Sequence, residues 1–155
     1  VRLEEHRPVA VWLGEDGNER LVNSFGEVFE ANVGDVEDED LPVLAGPDGS
    51  SVRMLAMLQR LQPLMQGIDR ELRELHLSGR GSWRVELDGD VAIELGRGSD
   101  EEVLARSARF VRTLGQVTGR FRAPLQSADL RHPEGYAVRL RGITTTAASA
   151  PQRRN

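Results

Sequence analysis

Three groupings of ionisable side chains invite a chemical reading. Glu4 and Glu5 precede His6, Asp129 stands shortly before His132, and residues 35–40 read Asp-Val-Glu-Asp-Glu-Asp. The first grouping offers an acid and a base. Neighbouring residues of a regular strand face opposite sides, however, so Glu4 and Glu5 do not address one substrate. Asp129 and His132 lie across a turn and would need a serine to complete a hydrolytic set. The chain has no Gly-x-Ser-x-Gly elbow to present one. The acidic run lacks the glycine at the sixth position and the glutamate at the twelfth that a calcium loop requires, so it reads as a solvated loop. Gly79-Arg80-Gly81 and Gly96-Arg97-Gly98 are turns, and without a lysine in the chain there is no phosphate loop. His6, His76 and His132 have no metal-ligand spacing, and the absence of cysteine removes thiolate chemistry and disulfides. These residues assign no catalytic group, no metal and no cofactor, and the expectation is a protein that is not an enzyme.

The composition agrees with a binding role away from nucleic acid. The net charge is −5, all basic residues are arginine, and 155 residues suffice for one domain with its own core. No apolar run approaches the roughly 20 residues needed to cross a bilayer. The chain begins inside an alternating pattern and without methionine, which reads as a fragment, with any signal or membrane anchor lying upstream.

The elements that would position any site are legible from periodicity. The last patterned stretch, residues 128–141, reads as a hairpin. His132-Pro133-Glu134-Gly135 has turn chemistry, and beyond it Tyr136, Val138 and Leu140 alternate with Ala137, Arg139 and Arg141. The start of the chain alternates in short strands at 1–5, 9–13, 21–23 and 28–29. Ser50 or Ser51 is the predicted N-cap of a helix carrying Met54, Leu55, Leu58, Leu61 and Met65, with a kink or restart at Pro63. Trp83, Val85 and Leu87, then Val91, Ile93 and Leu95, form the clearest hairpin, turned at Asp88-Gly89-Asp90. Ser99 and Glu102 make a capping box for a second helix whose apolar stripe runs Val103, Ser107, Phe110, Val111, Leu114 and Val117, with Arg106, Arg109 and Arg112 off the stripe.

The expected architecture is α+β: an antiparallel sheet with two amphipathic helices on one face. Residues 1–141 form the domain, and 142–155 read as a tail without regular structure. On this reading strand 136–140 is the last one available, and its outer edge stands open to a docking strand.

The blocks EEHRPVAVW, LVNSFGEVFEAN, LPVLAGPDGS, SWRVELDGDVAIELGR, RFVRTLG and ADLRHPEGYAVRL occur in this order. Together they resemble the β domain of the bacterial cell-division family FtsQ/DivIB, over nearly all of residues 1–141. The resemblance implies a periplasmic, non-catalytic scaffold of the divisome, carried on a single-pass inner-membrane anchor and preceded by a POTRA domain that hands over to the β domain at the strand 1–5. It implies partners of the FtsB and FtsL type, FtsB adding a strand beside the last strands. By position, that surface falls on Arg131, His132, Glu134, Gly135, Tyr136, Ala137, Val138, Arg139 and Leu140, and Arg80, in the turn before the Ser-Trp pair, is also a candidate. Some relatives carry an aromatic residue in place of His132 and a tryptophan in place of Leu140, so backbone pairing carries the expectation better than side-chain identity. The competing reading is a periplasmic glycan-binding or glycan-cleaving domain, which would need exposed aromatic rings or two carboxylates in one cleft.

Overall fold

The computed structural model describes residues 7–30, 40–121, 124–132, 135–141 and 143–145, with residues 117–121 and 143–145 described by backbone alone. Ten strands form one sheet in the order β10-β9-β8-β7-β6-β5-β4-β1-β2-β3. In chain order they are β1 Pro8–Leu13, β2 Glu19–Asn23, β3 Val28–Phe29, β4 Val43–Ala45, β5 Leu72–Leu77, β6 Trp83–Leu87, β7 Val91–Gly96, β8 Leu125–Asp129, β9 Ala137–Leu140 and β10 Ile143–Thr145. Helix α1, Ser51–Gln66, lies between β4 and β5; helix α2, Asp100–Phe121, lies between β7 and β8.

The sheet is mixed, which corrects the expected antiparallel meander. β4 pairs parallel to β5 and β7 parallel to β8, because each connection runs back along the sheet through a helix. β1 and β4 are also parallel, with the β2–β3 hairpin between them in sequence. Only the remaining neighbours are joined by the expected reversals.

One buried cluster unites the sheet with both helices. Leu44, Leu75, Trp83, Val85, Ile93 and Leu95 rise from the strands to meet Met54, Leu58, Leu61 and Met65 of α1 and Val103, Phe110 and Leu114 of α2. The opposite face of the central strands is polar, and Arg84 bridges Glu86 at 2.7 Å and Glu94 at 3.3 Å there. This is the period-two pattern of one buried and one wet face.

The helix ends differ in how they form. The capping box at α2 is present, Ser99 N–H donating to Glu102 Oε1 at 2.8 Å and Glu102 N–H to Ser99 Oγ at 3.1 Å. At α1, Ser50 holds the cap position, but its hydroxyl donates to Pro47 O at 2.6 Å, and Ser51 donates to Gly26 O at 2.7 Å. These serines tie the helix to the preceding loop and to the β2–β3 turn instead of capping it. Pro63 lies within α1, which continues as one helix to Gln66. The expected strand 1–5 and most of the acidic run lie outside the described residues.

The C-terminal edge also departs from expectation. Ile143, Thr144 and Thr145 pair antiparallel with Leu140, Arg139 and Val138, so β9 is flanked by β8 on one side and β10 on the other. The outer edge expected to be open at 138–140 is therefore covered. The strand falls inside the stretch read as an unpatterned tail; threonine is β-branched and strand-prone even where no apolar alternation announces it.

Candidate functional site

The site is assembled at the end of the sheet where β5, β7 and β8 finish. A cleft of about 810 Å³ opens there, lined by Arg80, Arg97, Arg106, Arg109, Arg112, Arg131 and His132, and among the described residues no carboxylate lies in its wall. Four elements supply the cations: the turns that follow β5 and β7, helix α2, and the segment following β8.

Each source has a local reason for its geometry. Ser78 Oγ accepts the backbone N–H groups of Arg80 and Ser82 at 3.2 and 3.0 Å, and Gly81 takes φ +86°, so the β5–β6 turn holds Arg80 outward. On α2, positions 106, 109 and 112 recur at helical spacing and share a face. Like charges at this spacing cost the helix about 0.2–0.5 kcal/mol per pair, so the arrangement is not one that helix stability favours. Arg106 has a structural duty as well. Its guanidinium donates to Leu95 O and, at 3.1 Å, to Arg97 O, closing the end of β7. Arg131 is clamped by Asp129, with Nε and Nη2 each 2.8 Å from a carboxylate oxygen. This contact holds the Asp129 carboxyl below the usual carboxylate range, with partial burial acting against it.

Gly96 forms the floor. Its φ is +86°, and a Cβ there would stand 3.0 Å from Arg131 Cγ and 3.1 Å from Arg106 Nη1. A bare backbone at this point lets two arginines cross the end of β7. Among the described residues, no carboxylate lies within ion-pairing distance of Arg80, Arg97, Arg109 or Arg112. The cleft thus concentrates positive charge in a chain whose net charge is −5, and its chemistry suits an anionic segment.

The structure brings Arg80, Arg131 and His132 of the expected surface into this one cleft. Glu134 lies outside the described residues. Gly135 is buried, and the β9 side chains divide. Tyr136, Val138 and Leu140 belong to the core. The Tyr136 ring meets Phe110 edge-on at 4.9 Å, its hydroxyl bonds Thr113, and burial pushes its ionisation upward. Ala137 is half-buried and Arg139 exposed. With β10 paired along 138–140, β9 presents Arg139 and the half-buried Ala137 at the surface, and not the alternating apolar side chains. Arg97, Arg106, Arg109 and Arg112 were not singled out by sequence; their signal was the shared helical face on α2 and the Gly-Arg-Gly turn after β7.

Other chemistry has weaker footing. Trp12, Trp83, Phe110 and Tyr136 are buried, leaving Phe25 as the exposed aromatic side chain among the described residues, which is too little for a sugar platform. Glu74, His76 and Glu86 place ligating atoms within 4.8 Å of one another on the polar face. His76 Nε2 contacts Glu74 at 2.9 Å, and Arg84 already answers Glu86.

Comparison with known proteins gives a consistent picture. The family model for the cell division protein FtsQ/DivIB, C-terminal, matches residues 10–131. The chain is 37% identical over 144 residues to the cell division protein FtsQ of Thiomonas arsenitoxydans, covering 92% of this chain and 53% of that protein. It is 36% identical over 144 residues to FtsQ of Burkholderia pseudomallei, covering 92% and 56%. Against FtsQ of Aliivibrio fischeri the identity is 36% over 138 residues, covering 89% and 50%. The chain spans about half the length of the curated relatives it matches.

Proposed function

Because the chain belongs to the FtsQ/DivIB family of bacterial cell-division proteins, we propose that it is a non-enzymatic scaffold of the divisome that holds FtsB- and FtsL-type proteins at the β8–β9 end of its sheet. The observation that carries this reading is the cleft, in which six arginines and a histidine converge with no lining carboxylate among the described residues. An acidic segment of the partner enters the cleft, and a neighbouring extended segment pairs with the sheet at its β9–β10 edge. Exposed ion pairs are worth only about 0.2–1 kcal/mol each. Several together set the register and speed encounter, while main-chain pairing supplies the hold. In the whole protein the domain sits on the periplasmic side of the inner membrane at the division site, carried by an upstream anchor.

The test is site-specific photocrosslinking in dividing cells. A photoreactive residue replacing Arg97 or Arg112 in the full-length protein captures the FtsB-type protein, whereas the same residue at Phe25, near the β3 edge, does not. Equal capture from both places, or none from the cleft, contradicts the reading.

A further inference from the structure

We propose that β10 is a displaceable cover, so that the free domain keeps its own docking edge closed in cis. This regulation rests on the partner reading above, and concerns the same edge.

The two neighbours of β9 are held very differently. β8 is itself an interior strand, paired parallel to β7 beyond it. Among the described residues, β10 is the terminal strand of the sheet, three residues long, and pairs with β9 alone. Leu140 is partnered by Ile143, so residues 141 and 142 are the whole link, and strand and cover form one short hairpin. At three residues, β10 is at the short end of the usual strand length, and its ladder is correspondingly short. β9, by contrast, is locked from beneath: Tyr136, Val138 and Leu140 are all in the core, and Tyr136 is fixed by Phe110 and Thr113. Release of β10 therefore leaves β9 in place as a formed edge.

Among the described residues, the cover pairs with Leu140, Arg139 and Val138, whereas β8 pairs with β9 from Leu140 to Ala137. The chain enters β9 at its Ala137 end, following the segment that carries Arg131 and His132. An incoming strand advances along β9 from that end while β10 peels away. Apparent affinity is then lowered by the fraction of molecules in which the edge is closed.

The chain has no cysteine, so a single engineered disulfide reports on this cleanly. Arg139 and Thr144 are directly opposed across β9 and β10. Arg139→Cys with Thr144→Cys fixes the cover when oxidised and frees it when reduced. The probe is the periplasmic segment of the FtsB-type protein from the same genome, titrated by calorimetry. A chain ending at Arg141 should bind roughly tenfold more tightly than the full chain, the change expected if the closed state dominates by about ten to one. The oxidised variant should lose at least about tenfold relative to its own reduced form on the same ground. Unchanged affinity on truncation together with unchanged affinity on oxidation overturns the proposal, and places the partner outside β10 or elsewhere.

A second measurement needs no partner. Amide exchange at the outward-facing N–H groups of β9 should be slower in the full chain than in the chain ending at Arg141, with the β8-facing groups unaltered. Equal exchange in the two chains means there is no cover, whatever the partner does. If the probe binds none of these chains yet the exchange difference is present, the partner reading fails and the cover stands as a property of the fold.

Discussion

Replacing Gly96 with alanine tests how the cleft is built. The residue sits at φ +86°, where an L side chain is strained by about 1–2 kcal/mol. The added Cβ also meets Arg131 Cγ at 3.0 Å and Arg106 Nη1 at 3.1 Å. Both contacts are to flexible side chains, which move aside at less cost than backbone would. The backbone strain therefore sets the stability loss, and a shift of about 2–8 °C in the thermal midpoint follows for a chain of this size. The displaced guanidiniums set a second loss, because Arg106 can no longer close the end of β7 and Arg131 leaves the cleft floor. Calorimetric melting reads the first effect and titration with the FtsB-type segment reads the second. Gly79→Ala is the control, since nothing lies within 4 Å of its added Cβ and its φ is not positive; its midpoint should stay put or rise slightly. A Gly96→Ala protein that melts and binds like the parent refutes the account of this floor.

Gly115 lies exposed in α2 with open space around an added Cβ, so Gly115→Ala should raise stability by about 0.5–1 kcal/mol in chemical denaturation. Trp83→Ala should cost about 3–5 kcal/mol, the ring being fully buried. Trp83→Phe should cost distinctly less in the same assay, because it also removes an indole N–H that has no hydrogen-bond partner. Asp129 has a lowered folded-state pKa, so its contribution is present above the ordinary carboxylate range near pH 4 and is lost as pH falls through the lowered value. Asp129→Asn should therefore cost up to about 1 kcal/mol at neutral pH, and the difference from the parent should vanish in strong acid.

The parts of this fold governed by side-chain period were legible in the sequence. The β6–β7 hairpin, the capping box at Ser99 and the apolar stripes of both helices follow from spacing alone, and the structure buries the named strand residues together. Strand direction was not legible in the same way. An apolar alternation is identical in parallel and antiparallel strands, and only the recognition that α1 and α2 serve as crossovers would have set β4–β5 and β7–β8 parallel. The final strand was missed because Ile143, Thr144 and Thr145 carry no alternation, and a strand held by backbone pairing leaves little trace in side-chain pattern. The site was legible in fragments. Arg131, His132 and Arg80 were reached through resemblance, whereas Arg97, Arg109 and Arg112 join them only when the sheet brings distant turns beside α2. Arg106 was read as off the apolar stripe, which is correct for packing; its bonds to the end of β7 depend on tertiary placement.

The measurement closest to the central claim is a charge-reversal titration of the cleft. Arg80→Glu with Arg109→Glu alters two cations that have no carboxylate partner among the described residues, so the fold should keep its parent melting temperature. Affinity for the FtsB-type segment should then fall by at least about tenfold at low salt, and the gap should narrow as salt screens the cleft. A glutamate-to-arginine change in the segment should recover part of the loss. Unaltered affinity in a normally folded charge-reversed protein, at every salt concentration, would contradict the claim that this cleft receives the partner.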